Sequence, residues 1–262
     1  MDQTQKCRVV FMGTPDFAAS ILKKLAAGPG GELLAVYTQP DRPAGRGHRL
    51  TPSPVKQLAL DLGLDVRQPP NFRDSAAVAA LADLRPDVLV VAAYGLILPQ
   101  AVLDVPRLAP INVHASLLPR YRGAAPIQRV IMENWEEGAE TGVSIMRMVK
   151  ELDAGPVYAR ARLTIGEHTA GSLHDALAEL GATSLLAVLD DMLAGEAKAV
   201  PQDEAGADYA PKIQKSDGFV LDWARPAAAV HAQIRGVTPW PGARAFPGRT
   251  AGTGHAAGAA PA

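Results

Sequence analysis

Val88 to Ala93 is apolar at every position and runs directly into Tyr94-Gly95. A strand wetted on one face alternates polar and apolar residues; an unbroken apolar run belongs to a strand covered on both faces, as in a parallel sheet. Even extended to Leu98, the run is well short of the roughly 20 residues a membrane span requires. The neighbouring segments agree. Arg8 to Met12 is a short β-branched run stopped by Gly13, after which Thr14 is expected to cap a helix opened by Pro15. Phe17, Ile21 and Leu25 recur along that helix, and Gly28-Pro29 closes it. Leu33 to Thr38 reads as the next strand. Ser53-Pro54 opens a second helix, with Val55, Leu58, Ala59 and Leu62 on one stripe and Gly63 at its end. Ile111 to His114 is a further strand. Strands alternating with helices predict an α/β fold with a doubly wound, mostly parallel sheet. Ligands gather at the carboxyl ends of such strands, where strand order reverses. The residues after Met12, Thr38, Ala93 and Val113 are therefore where chemistry is expected.

After Gly142 the pattern changes. Val143–Met148 and Val157–Leu163 read as two strands joined by a tight loop. Ser172 is expected to cap a long helix carrying Leu173, Leu177, Leu180, Leu185, Val188 and Met192, ending at Gly195. Pro201 to Ala210 is polar and reads as a linker, and residues 250–262 offer almost nothing to bury. The expected organisation is a catalytic domain over 1–204, then a linker and incomplete second domain over 205–262, with 243–262 disordered. The 262 residues, 48% hydrophobic, suffice for a large core without disulfides or metal. Cys7, the single cysteine, reads as a packing residue in a reducing compartment. With a net charge of −1, nucleic-acid binding requires a local basic patch. The amino-terminal residues lack the apolar stretch of a signal peptide, so a soluble cytoplasmic protein is expected; a monomer is expected as a separate matter. His168, His174 and His231 lack metal-ligand spacing, so no metal site is expected.

Four segments carry candidate chemistry. Gly13 to Phe17 has neither the dinucleotide fingerprint nor the P-loop spacing, leaving a tight turn or a ligand contact. In Ile111–Gly123 (INVHASLLPRYRG), Asn112 and His114 lie two apart on a strand and so share one face. They are either satisfied core polar groups or an acyl-transfer pair, in which a carboxamide and an imidazole hydrogen-bond a developing oxyanion and move protons. Two arginines in the loop that follows are hard to explain by packing. In Glu151–Gly155 (ELDAG), Asp153 either bonds its own backbone in a turn or orients His114 and a proton-relaying water. Thr38–Lys56 is read as a long loop with four prolines, two glycines and the cations Arg42, Arg46, Arg49 and Lys56 beside His48. Such a loop is a solvated face or a phosphate-contacting surface.

In this order, GTPDFA, TQPDRPAGRG, SPVK, AYGLILP, INVHASLLPRYRGAAPIQR, ETG and LDAG resemble the methionyl-tRNA formyltransferases, within the formyltetrahydrofolate-dependent formyltransferases. The resemblance covers about the first 240 residues. Asn-x-His followed by SLLP is similar to the wider formyltransferase group, whereas TQPDRPAGRG marks the tRNA-directed branch. It implies a Rossmann-like catalytic domain followed by a small β-barrel, here a remnant, because the sequence departs from the family after Thr238–Ala243. It implies 10-formyltetrahydrofolate as donor and the amino group of methionyl-initiator tRNA as acceptor. Matched to the family, Asn112, His114 and Asp153 are the catalytic trio. Ser116, Leu117, Leu118 and Pro119, with Tyr94, Gly95, Leu96 and Ile97, are the folate contacts. Arg42, Arg46, Arg49 and Lys56 are the tRNA contacts. The competing readings are a folate-dependent transformylase for a small nucleotide or sugar-nucleotide amine, and a weakened folate- or tRNA-binding remnant.

Overall fold

The computed structural model describes residues 6–28, 31–44, 49–220 and 222–245. Arg46, His48 and residues 246–262, including the expected disordered tail from 246 onward, lie outside them; for Arg49 only the main chain is described. The chain begins with β1 (Cys7–Gly13), α1 (Asp16–Ala27), β2 (Gly31–Tyr37), β3 (Arg42–Ala44), β4 (Arg49–Thr51) and α2 (Pro54–Asp61). β5 (Val66–Arg67), α3 (Ser75–Ala82), β6 (Val88–Ala92), α4 (Gln100–Leu103) and β7 (Ala109–His114) follow. Then come β8 (Arg122–Gly123), α5 (Pro126–Glu133), β9 (Glu140–Arg147), β10 (Val157–Thr164), α6 (Ala170–Ala194), β11 (Tyr209–Ala210) and α7 (Ala227–Gly236).

The main sheet runs β10-β9-β7-β6-β1-β2-β5. β5, β2, β1, β6 and β7 are parallel; β9 is antiparallel to β7 and β10 to β9. The apolar run of β6 is explained by its two covered faces. Val88 and Val90, with Val9 and Phe11 of β1, join Ile21, Leu25, Leu177 and Leu185 in the core beneath α1 and α6. Leu89 and Val91, with Val10 and Met12, pack on the other face against Phe72, Leu81 and Val102. Because the chain fills the sheet on the β2 side of β1 before crossing to β6, strand order reverses between β1 and β6. Gly13, Ala92 and His114 end three neighbouring strands there.

Several local expectations are corrected. Thr14 does not cap α1: Pro15 occupies the cap position without a side-chain bond, and the Thr14 hydroxyl donates to the Tyr94 carbonyl at 2.8 Å. α6 starts one turn earlier than expected, capped by Thr169, with Ser172 as the reciprocal partner three residues on. The basic segment 38–56 is not wholly irregular, because β3 and β4 pair antiparallel within it. The β9–β10 connection is not tight; it spans 148–156. Residues 201–210 are not a free linker. Tyr209 and Ala210 pair parallel with Arg122 and Gly123, and Gln202 and Glu204 hold the Arg122 guanidinium. Ser53 does cap α2, accepting from the Lys56 amide at 3.0 Å. Beyond β11, α7 packs on α5, and Phe219 bridges to Arg244.

Candidate active site

β7 is buried along its length except at Asn112, which is partly open. Asn112 and His114 therefore project from one face of a strand clamped between β6 and β9. The Asn112 carboxamide has no hydrogen-bond partner among the described residues, so both its N–H groups are available to a ligand. His114 is 6% exposed, and its Nε2 lies 2.9 Å from the main-chain carbonyl of Tyr121. A carbonyl only accepts, so this contact places a proton on Nε2 and turns Nδ1 toward Asp153. Nδ1 and the Asp153 carboxylate are 3.8 Å apart, an ion-pair contact for a protonated ring and too long for a hydrogen bond.

Asp153 does not fold onto its own backbone in a turn, as one sequence reading allowed. Its carboxylate instead accepts the Gly123 amide at 2.8 Å, tying the 148–156 loop to the loop after β7. Gly155 makes this loop path feasible, since a Cβ there would sit 1.8 Å from the Arg147 carbonyl. Strain gathers at the same place. Among the described residues four non-glycine residues have positive φ, and three of them are Ala93, Tyr121 and Asp153. Such conformations cost of order 1–3 kcal/mol each and persist where surrounding contacts impose them.

The expected folate-contacting segments are held by a second set of bonds. The Tyr94 carbonyl accepts from Thr14 Oγ1 and from Gln39 Nε2, each at 2.8 Å, so the loops after β1, β2 and β6 meet on one oxygen. The Tyr94 ring itself lies in the core, where burial drives its hydroxyl pKa far above the usual range. Ile97, by contrast, is 92% exposed, a large apolar side chain held in water beside the site. In SLLP, the Ser116 hydroxyl donates to the Arg120 carbonyl at 2.6 Å. The Leu118 carbonyl accepts from Arg160 Nε at 2.8 Å. Ser144, which the sequence reading overlooked, accepts from the Leu118 amide and donates to the Ser116 carbonyl. Its only sequence signal is a hydroxyl within the apolar strand that pairs with His114.

Between α4 and the 148–156 loop lies a cleft of about 380 Å³ lined by Leu103, Asp104, Pro110, Met148, Val149 and Lys150, among others. Neither loop composition nor periodicity pointed to Pro110, Met148 or Val149. The expected tRNA contacts are not equivalent. Arg42 is exposed on β3 and has no side-chain partner among the described residues. Lys56 is committed to Asp41, 2.7 Å away, and that bond, with one from Gln68, holds the Asp41 carboxyl below its ordinary range. Of the two arginines after SLLP, Arg120 is exposed and stacks on the Tyr121 ring, 5.1 Å from its centroid. Arg122 is only 2% exposed and bonded to Glu204 and Gln202, so packing does explain it.

Among the described residues no group of three or more His, Cys, Asp and Glu side chains could hold a metal. No helix there is long and apolar enough to cross a membrane. The formyl transferase profile matches residues 6–189, and the profile of the formyl transferase C-terminal domain matches residues 212–251. The chain is 62% identical over 253 residues to the methionyl-tRNA formyltransferase of Desulfovibrio desulfuricans, covering 97% of this chain and 75% of that protein. It is 57% identical over 244 residues to that of Nitratidesulfovibrio vulgaris, covering 93% and 73%. Among solved structures, it resembles a sugar 3N-formyl transferase crystallised with dTDP and 5-N-formyl-THF. The TM-score is 0.67 at 17% identity, over 88% of this chain and 79% of that one. That last likeness concerns the fold alone. Fold, profile and sequence agree that the chain belongs to the formyl transferase family, among relatives that are methionyl-tRNA formyltransferases.

Proposed function

We propose that this chain transfers the formyl group of 10-formyltetrahydrofolate to the free amino group of methionyl-tRNA. The observation that carries the chemistry is the pairing of an unpartnered Asn112 carboxamide with His114 on one strand face, with the Asp153 carboxylate 3.8 Å from the ring. The acceptor is supported by the names of relatives more than half identical to the chain, and by the exposed Arg42 guanidinium on the basic hairpin.

In this reading the amine nitrogen attacks the formyl carbon, whose oxygen takes up negative charge. The Asn112 N–H and the His114 ring stabilise that oxyanion, and Asp153 balances positive charge on the ring. The bond from the formyl carbon to N10 of the donor then breaks. The amine proton passes to N10 through the His114–Asp153 pair or water, leaving an N-formyl amide and tetrahydrofolate. The cleft combines apolar walls from Leu103, Pro110, Met148 and Val149 with the polar residues Gln100, Asp104 and Lys150, and it shares its wall with the loop bearing Asp153. It suits the donor's flat ring system.

The test is formyl transfer from 10-formyltetrahydrofolate with methionyl-tRNA as acceptor, run beside a sugar-nucleotide amine and glycinamide ribonucleotide. Turnover with methionyl-tRNA and none with the small amines is the expected result. Preference for a small amine would overturn it in favour of the transformylase reading.

A further inference from the structure

The segment 202–208 returns to the site from far along the chain and touches both members of the His114–Asp153 pair indirectly. Gln202 Nε2 donates to the Asp153 carbonyl at 2.8 Å and to the Gly155 carbonyl at 2.7 Å. Its Oε1 accepts from Arg122 Nη2 at 2.9 Å, and Arg122 is also forked onto Glu204 through Nη1 and Nη2 at 2.9 and 2.7 Å. That pairing raises the Arg122 pKa and lowers that of Glu204, so both stay charged across the neutral range. A few residues on, the Asp208 carboxylate accepts from the Tyr121 amide, and the Asp208 carbonyl accepts from the Arg122 amide at 3.0 Å. Tyr121 is the residue whose carbonyl fixes the His114 ring.

Gln202 thus uses every polar atom of its side chain, and two of its bonds end on the strained loop that presents Asp153. An amide bonded at both ends is a positioning device: the side chain fixes a distance between Arg122 and the Asp153 main chain. We infer that Gln202, held by an Arg122 that Glu204 fixes in turn, is a positioning residue that sets the Asp153 carboxylate against His114. This rests on the catalytic reading of Asp153 above. With its polar atoms committed to Arg122 and the loop carbonyls, Gln202 acts on the reaction through Asp153. Its effect falls on turnover rather than on binding of either substrate.

The test is a double-mutant cycle between Gln202 and Asp153, read by single-turnover formylation of methionyl-tRNA with the full chain. Gln202→Met keeps the length and removes all four bonds, two from Arg122 to Oε1 and two from Nε2 to the loop carbonyls. Gln202→Glu keeps an acceptor for Arg122 and removes the two amide donors, and its folding is checked by thermal melting. Misplacing a catalytic group by about 1 Å costs about 10²-fold in rate, so each variant should lose roughly 10- to 10²-fold in kcat with KM for both substrates within about twofold. In an Asp153→Ala background the same substitutions should change the rate by less than about twofold, because there is no longer a carboxylate to position. Parental kcat in a folded Gln202→Glu protein would overturn the inference. So would an equal loss in both backgrounds, or a loss confined to KM. If Asp153→Ala alone keeps the parental rate, the catalytic reading fails and this inference with it; a slow Asp153→Ala beside a fast Gln202→Glu removes only the inference.

Discussion

His114 donates its Nε2–H to the main-chain carbonyl of Tyr121 at 2.9 Å, and Tyr121 is itself held at a φ of 58°. The ring is therefore aimed by backbone rather than by a carboxylate, and its orientation survives changes to the Tyr121 side chain.

Alanine at Asn112, His114 or Asp153 should lower single-turnover formylation by about 10²–10³-fold while leaving donor binding close to parental, since losing one oxyanion donor typically costs that much. By contrast, Tyr121→Phe should keep most of the rate. It loses the hydroxyl contacts with Asn134 Nδ2 at 2.6 Å and Arg120 Nη2 at 3.3 Å and leaves the carbonyl in place. A near-parental rate in any of the three alanine variants would remove that residue from the mechanism.

Gly95→Ala should destabilise the fold and loosen the loop after β6. Gly95 has a φ of +76°, and a Cβ there would lie 2.3 Å from the Gln39 amide nitrogen that binds the Tyr94 carbonyl. The left-handed conformation alone costs an alanine roughly 1–2 kcal/mol. Gln39→Ala should relieve the clash but not the backbone term, so urea unfolding of the pair should recover only part of the loss. Full recovery would place the whole effect on the side-chain contact.

Arg42→Ala should raise KM for tRNA and reduce the slope of log affinity against log salt by about one unit, because one phosphate contact is removed. Lys56→Ala should move the salt slope less, since Asp41 already takes its charge. Filter binding against salt checks both, and an Arg42 variant with an unchanged slope would be contrary to the phosphate role.

Asp87 predicts the acid limb of stability. Burial alone would raise its pKa, but the Arg8 amide and the Arg107 guanidinium outweigh that and hold it below the ordinary value. A carboxyl depressed in the folded state stabilises above its unfolded pKa, about 3.9, and that contribution disappears as pH falls through the lower folded value. Asp87→Asn should therefore lower stability at pH 7 and flatten its dependence below about pH 4. Urea titrations from pH 7 down to pH 2 measure this directly.

What the sequence made legible followed from periodicity. The runs at Val9–Met12 and Val88–Ala92 gave the sheet, and the Leu177–Leu185 stripe gave the helix beneath it. The two-residue spacing of Asn112 and His114 put them on one face. What escaped depended on partners distant in sequence. Nothing local to Arg122 reveals that Glu204 and Gln202 bury it, and Asp153-x-Gly155 resembles an ordinary turn until Gly123 is found to donate to it. Ser144 is hidden for the same reason, its two bonds reaching back more than 25 residues.

The return of residues 202–208 to Tyr121 and Asp153 also orders events in time. Synthesis proceeds from the amino terminus, and Gln202 is 49 residues beyond the carbonyl it holds. Non-local contacts of this kind are made late, after the loop-closure entropy has been met. A nascent chain ending at Val200 already carries Asn112, His114 and Asp153 but lacks the bonds that fix Tyr121 and the Asp153 loop. Its sheet can form while Asn112, His114 and Asp153 remain unaligned, so on the proposed mechanism full activity follows the emergence and closure of the strap.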